Sequence, residues 1–120
     1  MKSAMVCSIV SLLFLAAFNA DAARKNAEPQ VVEIHANKFA YTPSEVTLVK
    51  GETYRLHLTS DDVLHSLRIK ALNANWEMKA GEFDDVSFTP EQVGNFTADC
   101  GRYCGKGHKT MSMTVHVVNK

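Results

Sequence analysis

The sequence predicts an all-β protein, a β-sandwich of about seven short strands. Three observations carry that reading. From Val31 onward apolar and polar residues alternate with a period of two, as in half-buried strands. Clusters of Gly, Pro, Asn, Asp and Ser separate these runs at short intervals. No segment after residue 30 repeats its apolar residues at a helical spacing.

The strands follow in order. Residues 31–37 alternate Val32 and Ile34 with Glu33 and His35. Residues 42–45 (Thr-Pro-Ser-Glu) form a turn, because proline fixes its own φ and lacks a donor. Residues 46–49 and 53–59 are two strands joined through Lys50-Gly51-Glu52. In the second, Tyr54, Leu56 and Leu58 share one face and Arg55 and His57 the other. Residues 64–69 are a further strand led by His65, and residues 83–89 another. Pro90 to Gly94 turns the chain into residues 95–100. Residues 111–118 close the sequence, with Met113, Val115 and Val117 on one face. Residues 70–82 are expected to be irregular, with room for a short helical turn.

The chain has 120 residues, enough for one small domain with one core. Its 13 basic and 13 acidic residues balance, and no basic stripe suggests a nucleic-acid partner. The N-terminus reads as a secretory leader. Lys2 supplies the positive start, residues 4–18 a short apolar run, and Ala20-Asp21-Ala22 a small-x-small cleavage site. The expected organisation is a signal peptide over 1–22, a flexible lead-in over 23–30 and one domain over 31–120. Export to the periplasm or beyond follows. The rival is an uncleaved membrane anchor, for which the apolar run is short against the roughly 20 residues that span a bilayer. Cys7 lies in the leader and would leave with it.

One stretch carries the chemistry: Cys100-Gly-Arg-Tyr-Cys104-Gly-Lys-Gly-His108-Lys-Thr-Met111. Two thiols, an imidazole and a thioether fall within twelve residues, and this set of soft and borderline ligands suits copper. Three of the chain's six glycines lie between them, and glycine lets a loop turn tightly around an ion. His65, from Asp61-Asp62-Val63-Leu64-His65-Ser66, would complete the set from a neighbouring strand. The bland reading of two cysteines in an exported chain is a disulfide. His108 and Met111 count against it, because a structural bridge needs neither.

These residues resemble the binuclear CuA copper site of cytochrome c oxidase subunit II and of the C-terminal domain of nitrous oxide reductase. The resemblance runs from about residue 31 to 118 and includes Leu58-Thr-Ser-Asp-Asp-Val-Leu-His-Ser66 and Val86-Ser-Phe-Thr-Pro90. It implies a cupredoxin Greek-key sandwich with the metal site at one end, in the loop between the last two strands. It also implies two copper ions. Cys100 and Cys104 would bridge them, with His65 and His108 as terminal ligands. Met111 would be the axial thioether on the copper that holds His65, and the backbone carbonyl of Arg102 the second axial group. Two coppers sharing two thiolates spread one electron over both metals, which suits single-electron exchange with a partner such as a c-type cytochrome. Six ligands leave no open position, so no turnover is expected of this chain alone.

The chain departs from the oxidase pattern in two respects. Oxidase subunits carry two membrane helices before the copper domain, where this sequence has a leader. They also carry Glu between the cysteines, whose carboxylate reaches a magnesium, where this chain has Arg102. A guanidinium cannot bind a cation, whereas a carbonyl survives any side chain. The expectation is a free-standing exported electron carrier. The alternatives are a copper delivery or storage protein and a subunit II-like component of a haem-copper oxidase. Zinc also takes two Cys and two His, but has no use for Met111. A mononuclear blue-copper site needs one cysteine, not two.

His35, His57 and His116 lie on polar strand faces and are expected to be solvated. Met78, Met113 and Trp76 are expected to pack in the core. Asp61, Asp62, Asp84 and Asp85 read as solvated loop carboxylates that could orient a cationic partner.

Overall fold

A computed structural model describes residues 28–120. The expected leader over 1–22 and residues 23–27 of the lead-in lie outside the described residues. Nine strands form two sheets: β1 (Gln30–Asn37), β2 (Ala40–Thr42), β3 (Glu45–Val49), β4 (Tyr54–Ser60), β5 (His65–Ile69), β6 (Ala74–Met78), β7 (Phe83–Phe88), β8 (Gly94–Asp99) and β9 (Ser112–Val118). The first sheet has the order β2-β1-β4-β7 and the second β3-β9-β8-β5-β6. β1 runs parallel to β4 and β3 parallel to β9, while the other pairings are antiparallel.

Alternation places the core between the sheets. β4 buries Tyr54, Leu56, Leu58 and Ser60 and turns Arg55 outward. β9 buries Met113, Val115 and Val117 from the opposite side. Each inward side chain meets the inner face of the other sheet, the arrangement of a packed sandwich. Trp76 on β6 meets Phe88 on β7 edge-on, with ring centroids 5.5 Å apart, so the edge strands of the two sheets are joined by an aromatic pair. Packing is thus the role of Trp76, as expected, and Met78 and Met113 are buried.

The seven expected strands are present and two more appear. Residues 70–82 are not irregular throughout. A 3-10 turn over Lys70–Leu72 supplies the helical piece, and β6 follows it. Asn73 closes that turn in the left-handed conformation, and its neighbour Asn75 faces solvent. The asparagines suggest a loop, yet Ala74, Trp76 and Met78 alternate inward between them. The short β2 was also unforeseen. Gln30 belongs to β1, paired with Tyr54, and not to the lead-in.

Chain direction gathers the chemistry at one end. β4 runs into the 61–64 turn, β5 starts at His65, β8 ends at Asp99, and residues 100–111 connect β8 to β9. Among the described residues, no helix is long and apolar enough to cross a membrane.

Candidate metal centre

His65 opens β5 and is completely buried. A ring nitrogen of His65 and the sulfurs of Cys100 and Cys104 all lie within 4.8 Å of one another. Both cysteines are buried free thiols. The remaining expected ligands stand beside them. His108 Nδ1 lies 3.7 Å from Cys104 Sγ, and Met111 Sδ lies 3.9 Å from it. The Cys100 thiol donates to the Arg102 carbonyl at 2.9 Å. The fold therefore brings all six sequence-derived positions to one end of the sandwich.

The two nitrogens of His65 have different surroundings. Nε2 donates to Asp62 Oδ1 at 2.7 Å. Nδ1 is buried and has no hydrogen-bond partner, which makes it the orphaned buried polar side-chain atom among the described residues. An orphaned lone pair in the core is costly. A metal ion removes that cost, and a carboxylate on the far nitrogen is the usual arrangement for a histidine ligand. Two thiols, an imidazole with its lone pair free, a thioether and a carbonyl fit a soft metal ion such as copper.

Asp62 was expected to be a solvated acid. Instead it fastens the site. It accepts from His65, from the Lys38 amide at 2.6 Å and from the Val63 amide at 2.6 Å. Burial alone would raise its carboxyl, but these donors outweigh that and hold it below the usual carboxylate range. The spacing Asp62-x-x-His65 was the available signal: a carboxylate three residues before a ligand histidine can reach back across a turn.

A second set of contacts fixes Cys100 against β5. The Gly101 amide donates to Ser66 Oγ at 2.7 Å, and the Tyr41 hydroxyl donates to the Ser66 carbonyl at 2.5 Å. Arg68 grips Asp99 through two bonds of 2.8 Å at the point where β5 and β8 pair. Burial, reinforced by the two thiols, pushes the Tyr41 phenol well above its ordinary value. Burial and then the neighbouring Cys100 thiol push Cys104 up to about 11.

The loop glycines leave room for neighbouring side chains. A Cβ on Gly105 would lie 2.8 Å from Phe39 Cε1, and one on Gly107 would come closer still to that ring. A Cβ on Gly101 would lie 3.0 Å from Arg68 Cδ. Phe39, from the β1–β2 turn, therefore packs against the ligand loop at Gly105 and Gly107. Gly105 also needs its positive φ of 139°.

The three other histidines stand outside the cluster. They are half-buried, not freely solvated, and each holds a polar partner. His35 Nδ1 is 2.8 Å from Thr59 Oγ1, His57 Nδ1 is 2.6 Å from Asp85, and His116 Nδ1 is 2.6 Å from Asn95.

Comparison with known proteins adds three findings. The family model described as cytochrome c oxidase subunit II, periplasmic domain, matches residues 25–118. Cytochrome c oxidase subunit 2 of Thermus thermophilus is 33% identical over 86 residues, which are 72% of this chain and 64% of that protein. The chain thus spans less than two thirds of that relative's length. Among solved structures, the periplasmic domain of subunit II of cytochrome oxidase (CoxB) of Bradyrhizobium japonicum superposes with a TM-score of 0.68 at 17% identity, covering 76% of this chain and 85% of that one. The metal binding domain of the Streptococcus pneumoniae D39 Cu(I) exporting P-type ATPase CopA gives 0.58 at 21% identity, covering 77% and 90%. The likeness in fold bears out the cupredoxin-type sandwich.

A pH dependence follows from the seam. The Arg68 guanidinium holds the Asp99 carboxyl below its usual range, against the opposing effect of burial. A lowered folded value means stabilisation that is complete above the ordinary carboxylate value of about 4 and is lost as pH falls through the folded value. Asp62 acts in the same direction. Urea unfolding of the metal-free protein should show stability declining from about pH 4 downward. Asp99→Asn should be less stable at neutral pH and flatter across that window. A wild-type curve that stays level down to about pH 2 contradicts the assignment.

Proposed function

Because the chain belongs to the family of the cytochrome c oxidase subunit II periplasmic domain, we propose that it is a CuA-type electron-transfer protein holding two copper ions. The observation that carries this is the buried, unpartnered Nδ1 of His65 beside two buried thiols. Cys100, Cys104, His65, His108, Met111 Sδ and the Arg102 carbonyl would hold the metals. When bound, such a centre accepts and releases one electron at a time.

The protein's own part is to hold its ligands still. Asp62 keeps a proton on His65 Nε2 and so leaves Nδ1 free to bind. Ser66 and the Arg68–Asp99 pair hold the start of the loop. Phe39 covers its glycines. Ligands fixed by a β scaffold change position little between oxidation states, and this keeps electron exchange fast. Water is kept from the sulfurs by their burial.

We further propose that the chain is exported by its leader over 1–22 and works apart from an oxidase core, exchanging electrons with a c-type cytochrome or similar protein. Arg102 supports this reading. Its guanidinium turns to Glu77 at 3.0 Å, and where oxidase subunits place a carboxylate for magnesium this chain offers a cation.

Metal analysis of the reconstituted protein should give two coppers per chain, with an EPR multiplet from one electron shared by two copper nuclei. Cys104→Ser should abolish the binuclear signal, because it removes one of the two buried thiols that would hold the metals. Met111→Leu should keep both coppers and shift the reduction potential. One copper, zinc, or a colourless and EPR-silent Cu(I) form contradicts the proposal, the last favouring copper delivery. Equal copper loss in Met111→Leu and Cys104→Ser contradicts the ranking of ligands. Cell fractionation tests the free-standing reading separately. The protein is expected without a haem-copper core, and stoichiometric co-purification that survives detergent and salt overturns that expectation.

A further inference from the structure

We propose that the ligand loop around His108 and Tyr103 is the docking face for the redox partner, and that the partner's complementary face is acidic. The inference rests on the electron-transfer reading above and deepens it. Electron exchange weakens steeply with distance, so a partner must approach the least covered ligand. Four of the five proposed side-chain ligands are buried: His65, Met111, Cys100 and Cys104. His108 alone among them reaches the surface. Tyr103, which is 74% exposed, rests its ring against it with centroids 5.8 Å apart. An exposed aromatic side chain touching a ligand imidazole is an anchor of the kind that protein interfaces favour.

The charges on the loop itself have one sign. Residues 100–111 include Arg102, Lys106 and Lys109, all exposed, and no carboxylate. Glu77 offsets Arg102. Among the described residues, neither Lys106 nor Lys109 takes part in an ion pair. Three of the four carboxylates expected to attract a cationic partner already face a histidine. Asp62 faces His65, Asp61 faces His35 and Asp85 faces His57. Glu82 and Asp84, at the start of β7, stand at the same end but on the outer edge of the other sheet, away from the strands β8 and β9 that the ligand loop joins. Two free lysines beside the exposed ligand therefore steer an anionic surface toward it.

The test is stopped-flow oxidation of the reduced, copper-loaded protein by two soluble c-type cytochromes, one of net negative and one of net positive charge. The negative cytochrome should react faster at low salt and slow by about tenfold as salt rises from about 10 mM to about 300 mM. Lys106→Glu with Lys109→Glu should remove that dependence while copper content and EPR stay unchanged. Lys50→Glu, at the opposite end of the sandwich, should change nothing. If the charge reversals impair copper loading, the Gln variants should still weaken the salt dependence in part. A faster reaction with the positive cytochrome, or equal rates indifferent to salt, overturns the proposal. So does sedimentation with anionic lipid vesicles that the same reversals abolish, which would assign the lysines to a membrane surface. Exchange with neither cytochrome, by protein carrying its full copper, contradicts the electron-transfer reading itself and removes the basis of this inference.

Discussion

The ligand end of the sandwich depends on one seam, where β5 meets the end of β8. β5 supplies His65 at its first residue, and β8 delivers Cys100 one residue after its last. Nothing in the sequence between residues 65 and 100 obliges these two to meet. What joins them is the Arg68–Asp99 pair, the Gly101 amide on Ser66 Oγ, and Tyr41 on the Ser66 carbonyl. The pair is half-exposed and adds little by charge alone. Its effect is geometric, because two parallel bonds from a planar guanidinium fix both distance and orientation. Gly101 is part of the same device, since its missing side chain leaves the path that Arg68 takes.

With that seam in place, the turns on either side complete the frame. The 61–64 turn is folded back by Asp62, which collects two backbone amides and one imidazole. The Ser60 hydroxyl donates to the Val63 carbonyl within the same turn. The β1–β2 turn contributes the Lys38 amide to Asp62 and the Phe39 ring to Gly105 and Gly107. One turn thus ties together the histidine side and the cysteine side of the centre. Polar groups at this end are satisfied by one another, and the lone pair of His65 Nδ1 is left over. A network that satisfies every neighbour but one, in a buried place lined by thiols, is organised for an ion.

Much of this was legible in the sequence, and the reasons for the rest are specific. Strand positions followed from alternation, because a residue such as Leu58 or Val115 has a single way to reach the core. The candidate cluster of thiols, imidazoles and thioether was legible because its residue types and spacing have few other uses, and the fold brings its members together. β6 was not, because turn-forming asparagines interrupt an alternation of only three inward residues. The role of Asp62 was hidden because an acid in a polar turn is ordinarily solvated. Only the path of the backbone puts it against His65. Phe39 and the loop glycines were harder still, since they meet across about 65 residues of chain. The sequence marks each glycine but not the ring it makes room for.

The central claim is that hydrogen bonds within the protein hold the ligand frame before any metal arrives. Amide hydrogen exchange on the metal-free protein tests it most directly. The Gly101, Lys38 and Val63 amides donate to Ser66 and Asp62, and should exchange slowly, close to the amides of β5 and β8. Exchange of these three amides as fast as in an open loop, with protection appearing only when copper is added, would contradict the claim and make the frame a product of the metal.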